Sequence, residues 1–416
     1  MALYTHIHGA FTLNKKIIIV TSLILIIILI TTLAIGILSK KQKSTIVEAK
    51  KTEFKLQDNE HMHIELDASG DQVPVPNGYV GSKATGENEI NIGYVIYEGK
   101  EEVNDTNKDE AQKSRNQYVW IPVPDPSKMY GTDKNGKKWG KLYEFSSRTG
   151  TIYEEVTGTY PENWTEGNEI MQIFDKKKYR EPDILPSDNF VHESDSKLKT
   201  LGMGAKTTHE FLKQLETEFN NMITSVEKYG GFYIGRYETG NISKYIPVIQ
   251  KGNTDINDQT WYTMYKQCKK LKGENKNIET EIIWGSQWDR VLMWLIESGN
   301  KTKEQIAEDA TSWGNYQNAT FEYINISGST AIKEANSETM IPTGSTEYTK
   351  ANNIYDLAGN VSDWTMEADS TFLRVVRGGY YVLTYGEYGP PSDRDTSYSA
   401  DTSDYLYGCR AMLYIK

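Results

Sequence analysis

Few side chains in this 416-residue chain are placed to do chemistry. The two cysteines, Cys268 and Cys409, are 141 positions apart. They form no Cys-x-x-Cys or Cys/His cluster, so a structural zinc site and a disulfide framework both fall away. Each reads as a small buried apolar residue. No nucleophilic triad order, phosphate-cradling glycine loop or His-Glu-x-x-His pair occurs. Arg374 and Arg377 flank Val375-Val376, the pattern of a half-buried strand with paired arginines. Between Asp356 and Asp363, the Gly359-Asn360 step suits positive φ, and Asp356 can cap backbone N–H groups. Late in the chain, Tyr380, Tyr381, Tyr385, Tyr388, Tyr398, Tyr405 and Tyr407 are spaced by Ser, Gly and Asp. Such mixtures give rigid amphipathic contacts with adaptable hydrogen bonding, or a polar loop packed on its own tyrosines.

The net charge is −11, but residues 1–55 carry +6 and the remainder −17. So acidic a body repels phosphates, and no nucleic-acid partner is expected. Ile17–Leu38 is an uncharged apolar run long enough to span a hydrocarbon core as a helix. It exceeds the apolar region of a cleaved signal peptide, and Ile37-Leu38-Ser39-Lys40-Lys41 lacks a small-x-small cleavage site. It reads as a single anchor contacting membrane lipid, after a tail of residues 1–16. Lysines flank it on both sides, and charge counting is a weak guide when a long domain follows.

Residues 39–70 read as a charged linker, and 71–416 as the globular part. Gly78–Val80, Ile92–Tyr97 and Gln117–Val123 read as strands, the last stopped at Pro122 and Pro124. Residues 125–200 read as loops or an insertion. Thr207–Glu210 is a capping box before Phe211, Leu215, Phe219, Met222 and Val226 at helical spacing, with Gly230-Gly231 as the stop. Further helices are expected over Gln259–Leu271 and from Ser286. Two or three helices among short strands and long loops describe an α+β domain.

Three segments in order carry a resemblance: Asn353–Trp364 (Asn-Ile-Tyr-Asp-Leu-Ala-Gly-Asn-Val-Ser-Asp-Trp), Arg374–Tyr380 (Arg-Val-Val-Arg-Gly-Gly-Tyr) and Gly408-Cys409-Arg410. With Phe232–Glu238 and Thr280–Asp289 they are similar to the formylglycine-generating enzyme (sulfatase-modifying factor) family. The resemblance is clearest over 225–416 and extends from about residue 117. It implies a C-type-lectin-like fold and a structural calcium ion held by Asp356, Asp363 and the carbonyls of Gly359 and Val361. That family holds Cu(I) on a cysteine pair shortly after the Arg-Gly-Gly segment, because soft thiolates suit that ion. Here Tyr380–Tyr398 contains no cysteine, so no copper and no catalysis are expected. The expectation is a membrane-tethered extracellular module that binds a protein or glycan through the seven late tyrosines. The alternatives are an oxidoreductase of the family's type acting on a cysteine peptide, and a structural cell-envelope or prophage surface protein.

Overall fold

In the computed structural model, residues 54–416 are described, apart from 55, 133–135, 137, 146–153, 156–198, 201, 206, 244–245, 369–372 and 385–388. The apolar run Ile17–Leu38 lies outside these residues. Among those described, no helix is long and apolar enough to cross a membrane.

The described part is mixed α+β, with five α-helices and mostly antiparallel strands. Ten strands position the site: β1 (Tyr79–Gly81), β2 (Val95–Glu98), β3 (Gln117–Pro122), β4 (Gly231–Gly235), β5 (Ile278–Ile282), β6 (Ser362–Ala368), β7 (Leu373–Arg377), β8 (Asp395–Ser399), β9 (Tyr407–Cys409) and β10 (Ala411–Ile415). One six-stranded sheet runs β5-β10-β4-β3-β2-β1 and a four-stranded sheet β8-β7-β6-β9. In the second, β6 and β9 are parallel, which a long connection permits. β3 is rich in aromatic and β-branched residues and is buried from Gln117 to Ile121, as a central strand requires. Trp120 pairs across the ladder with Tyr233, with ring centroids 4.9 Å apart.

The helices are α1 (Lys108–Ser114), α2 (Thr208–Tyr229), α3 (Trp261–Lys270), α4 (Gly285–Glu297) and α5 (Lys303–Ala307). α2 starts where the capping residues place it. Thr207 Oγ1 accepts from the Glu210 N–H at 3.1 Å, and Gly230 ends the helix at φ 77°. Its apolar face, Phe211, Leu215, Phe219, Met222, Ile223 and Val226, is buried on β4 and β10. α3 and α4 fall on the expected segments. Their Trp261, Trp284 and Trp288 join Trp364 of β6 among the largest buried side chains.

The fold differs from the sequence reading at its start. Met62–Leu66 is a strand paired with Gln72–Pro76, so ordered structure begins inside the expected linker. Polar His63 and Glu65 alternate with apolar neighbours there, and so short a run hides among charged residues. Within 125–200, Tyr130–Thr132 pairs with Lys138–Gly140.

Candidate functional site

The turn that leads into β6 is held by protein donors. Asp356, Gly359 and Asn360 have φ values of 60°, 71° and 63°. Asp356 Oδ1 accepts from Thr349 Oγ1 at 2.6 Å and Oδ2 from the Gly344 N–H at 2.7 Å. Asn360 Nδ2 donates to Glu238 Oε2 and Asp255 Oδ2 at 2.6 and 2.8 Å. Arg410 Nε donates to Asp363 Oδ2 at 3.2 Å, and its remaining nitrogens reach the carbonyls of Gly235, Tyr355 and Asp356. Burial pushes Glu238, Asp255, Asp356 and Asp363 upward, Asp363 to about 6.

The four positions named for calcium, Asp356, Gly359, Val361 and Asp363, therefore share one turn. Both Asp356 oxygens accept protein hydrogen bonds and Arg410 lies against Asp363 Oδ2, whereas Asp363 Oδ1 has no hydrogen bond; calcium takes six to eight oxygens. Among the described residues, no three His, Cys, Asp or Glu are arranged to hold a metal.

Arg377, expected half-buried, is wholly buried in a charge quartet. Its Nη2 meets Asp289 Oδ1 at 3.0 Å and its Nη1 meets Glu367 Oε2 at 3.5 Å. Arg394 closes the square at 2.5 Å to Asp289 Oδ2 and 2.6 Å to Glu367 Oε1. Two cations thus balance two anions. Arg374 lies over the Trp261 ring at 4.1 Å and donates to the Met366 carbonyl.

Among the described residues, the late tyrosines differ in exposure. Tyr407 is buried on Trp364, Tyr381 is 9% exposed and Tyr380 is half-buried, while Tyr405 stands out at 57%. Tyr385 and Tyr388 lie outside the described residues. Tyr398 is placed by its backbone in β8, opposite Arg374. Beside Tyr380, a hollow of about 80 Å³ is lined by Gly378, Gly379, Leu383, Asp393 and Asp395.

A larger cleft, about 610 Å³, opens between α2, the end of α3 and strands β5 and β10. Ligand pockets are commonly a few hundred to about 1,000 Å³. Glu281 of β5 is its buried floor. Its Oε2 accepts from Trp284 Nε1 at 3.2 Å, whereas Oε1 has no hydrogen bond and lies 3.9 Å from Lys269 Nζ. Lys269 turns instead to Glu218, which also accepts from Tyr265 OH at 2.7 Å. Lys272 and Lys416 both pair with Glu279. Lys228 sits over the Tyr229 ring at 4.6 Å, and Ser225 Oγ is buried without a partner. Burial, then the charge of Glu218, push the Glu281 carboxyl up to about 8, against the pull of Lys269. At neutral pH it is mostly a neutral acid able to donate a proton.

This has a measurable consequence for stability. Between pH 4.5 and about 8 the folded chain keeps a proton on Glu281 that the unfolded chain releases. Its contribution is therefore fully present below 4.5 and lost as pH rises through 8. Glu281→Gln mimics the neutral acid at every pH. The variant should gain on the wild type by roughly 1–3 kcal/mol between pH 5 and pH 8, read from urea midpoints. A difference that does not change with pH would contradict the assignment.

Sequence reasoning missed this cleft. Ile278-Glu279-Thr280-Glu281-Ile282 alternates like a strand with one wet face, which would leave both glutamates in water. α3 packs against β5 and, with Glu218 of α2, closes over Glu281, and nothing local to β5 announces it. The fold defines a mixed α+β domain with a polar, lysine-rimmed cleft over a buried acid. No family model matches the chain, and no curated protein matches it.

Proposed function

We propose that the chain is a non-catalytic binding module, tethered by Ile17–Leu38 with its domain outside the cell, of the C-type-lectin-like kind found in the formylglycine-generating enzyme family. What supports the fold reading is the convergence of the three resembling segments. Asp363 of the first pairs with Arg410 of the third, and Arg377 of the second is bound into the core beside them. A non-catalytic reading fits a late segment, Tyr380–Tyr398, without thiols.

The observation that carries the binding role is the Glu281 cleft. Lysine ammoniums rim it, and a neutral carboxyl and the Ser225 hydroxyl lie at its base. That combination suits a small polar molecule with one anionic group and hydroxyls, such as an acidic sugar. Calorimetric titration of the detergent-solubilised chain with galacturonate, and with galactose as neutral control, tests it. Galacturonate should bind and galactose should not. Lys228→Ala should weaken binding about tenfold, the loss of about 1.4 kcal/mol expected of one charged contact. Equal heats for both sugars, or an unaffected variant, would refute the cleft as ligand seat. A second reading keeps the late loops as a contact for a protein or larger glycan, favoured by the exposed Tyr405 ring near Tyr381.

A further inference from the structure

The only two cysteines of the chain, 141 residues apart, lie side by side. Cys268 Sγ and Cys409 Sγ are 3.5 Å apart, and both residues are wholly buried. Neither depends on the other for its place. α3 is pinned at its start by Trp261, whose Nε1 donates to the Thr365 carbonyl at 2.9 Å, and the Cys268 carbonyl accepts from Thr280 Oγ1 at 2.7 Å. Cys409 is held by parallel pairing of β9 with β6 and by its carbonyl, which accepts from the Thr239 N–H at 2.9 Å. As thiols the two groups offer each other only a weak S–H contact. A disulfide needs the sulfurs about 2.05 Å apart, so they have roughly 1.5 Å to close.

We infer that Cys268 and Cys409 form a disulfide that fastens α3 to the second sheet. The chemistry is two exchange steps with a small-molecule disulfide such as oxidised glutathione. One cysteine thiolate attacks it, forming a mixed disulfide and expelling one glutathione thiolate. The second cysteine thiolate then attacks the protein sulfur of that mixed disulfide and expels the other glutathione. The protein loses two protons and two electrons, and the oxidant becomes two thiols. Exchange belongs to a stage before α3 docks. In the folded domain both sulfurs are sealed from solvent, and the Cys409 thiol is held well above its usual range by Cys268, by burial and by Asp363. Once closed, the bond is shielded from reductants by the same packing.

The test uses the full chain in detergent, carried through unfolding and refolding with oxidised glutathione. It is then alkylated with N-ethylmaleimide in guanidine and weighed. The expected product is about 2 Da lighter than the reduced chain and takes no maleimide until reduced. Digestion should yield one linked peptide pair containing Cys268 and Cys409. Cys268→Ser, treated identically, should instead retain glutathione on Cys409 or take a single maleimide there. Reduction of the cross-linked chain should lower its melting temperature by about 5 °C or more. Two maleimides on the wild-type chain without reduction, or a glutathione adduct on each cysteine, would overturn the inference.

Discussion

Replacing Arg410 with Met should destabilise the domain by about 4 kcal/mol or more, the largest single loss expected in the molecule. Arg410 is wholly buried and donates to three carbonyls, of Gly235, Tyr355 and Asp356, besides Asp363. Methionine fills much of the same volume but donates nothing. Three carbonyls would lose a donor, and Asp363 would lose its cation beside Glu238, Asp255 and Asp356. The effect should depend on pH. With Arg410 present, burial already raises Asp363 to about 6, so its contribution is greatest in acid and fades as pH rises through that value. Without Arg410 the carboxyl rises further and resists ionising more strongly. Denaturant titrations should therefore show a larger loss at pH 8 than at pH 5. A loss below about 1 kcal/mol at pH 8 would mean the arginine is not the keystone of this turn.

The second large effect is expected at the quartet. Arg377→Met leaves Asp289 and Glu367 buried with Arg394 as their shared cation, and should cost about 3–5 kcal/mol. Glu367→Gln in the same chain removes the surplus negative charge while keeping the shape of the side chain. The double variant should recover part of that cost, since a 1:1 pair of Arg394 with Asp289 remains. Urea midpoints of the four proteins in a double-mutant cycle measure the coupling directly. Strictly additive losses would show that the four groups do not act as a unit.

Legibility from sequence followed the range of the interactions. α2 could be bounded from Thr207 and Gly230 because caps and apolar spacing act within a few residues. α3 and α4 were equally readable from their Trp, Met and Leu stripes. β3 announced itself through Gln117–Ile121 and the stop at Pro122. The pairing of Arg377 was foreseeable, but its partner Asp289 was not, because they are 88 positions apart. The same limit hid the contact of Cys268 with Cys409 and the approach of Glu218 of α2 to Glu281. Tyrosine misled in another way. It has one composition signature whether its ring faces water, as Tyr405 does, or packs on Trp364, as Tyr407 does. The strand Met62–Leu66 was hidden because its alternation is too short to stand out from charged neighbours.

The cleft rests on a carboxyl that stays protonated near neutral pH, and carbon-13 NMR of glutamate-labelled chain can watch that group alone. Apart from the resonances of Glu238 and Glu367, which burial also pushes upward, a side-chain carboxyl resonance should titrate near pH 8, vanish in Glu281→Gln, and shift when galacturonate is added. If the resonance that Glu281→Gln removes titrates in the ordinary acid range, or ignores the sugar, Glu281 is not the floor of a ligand seat.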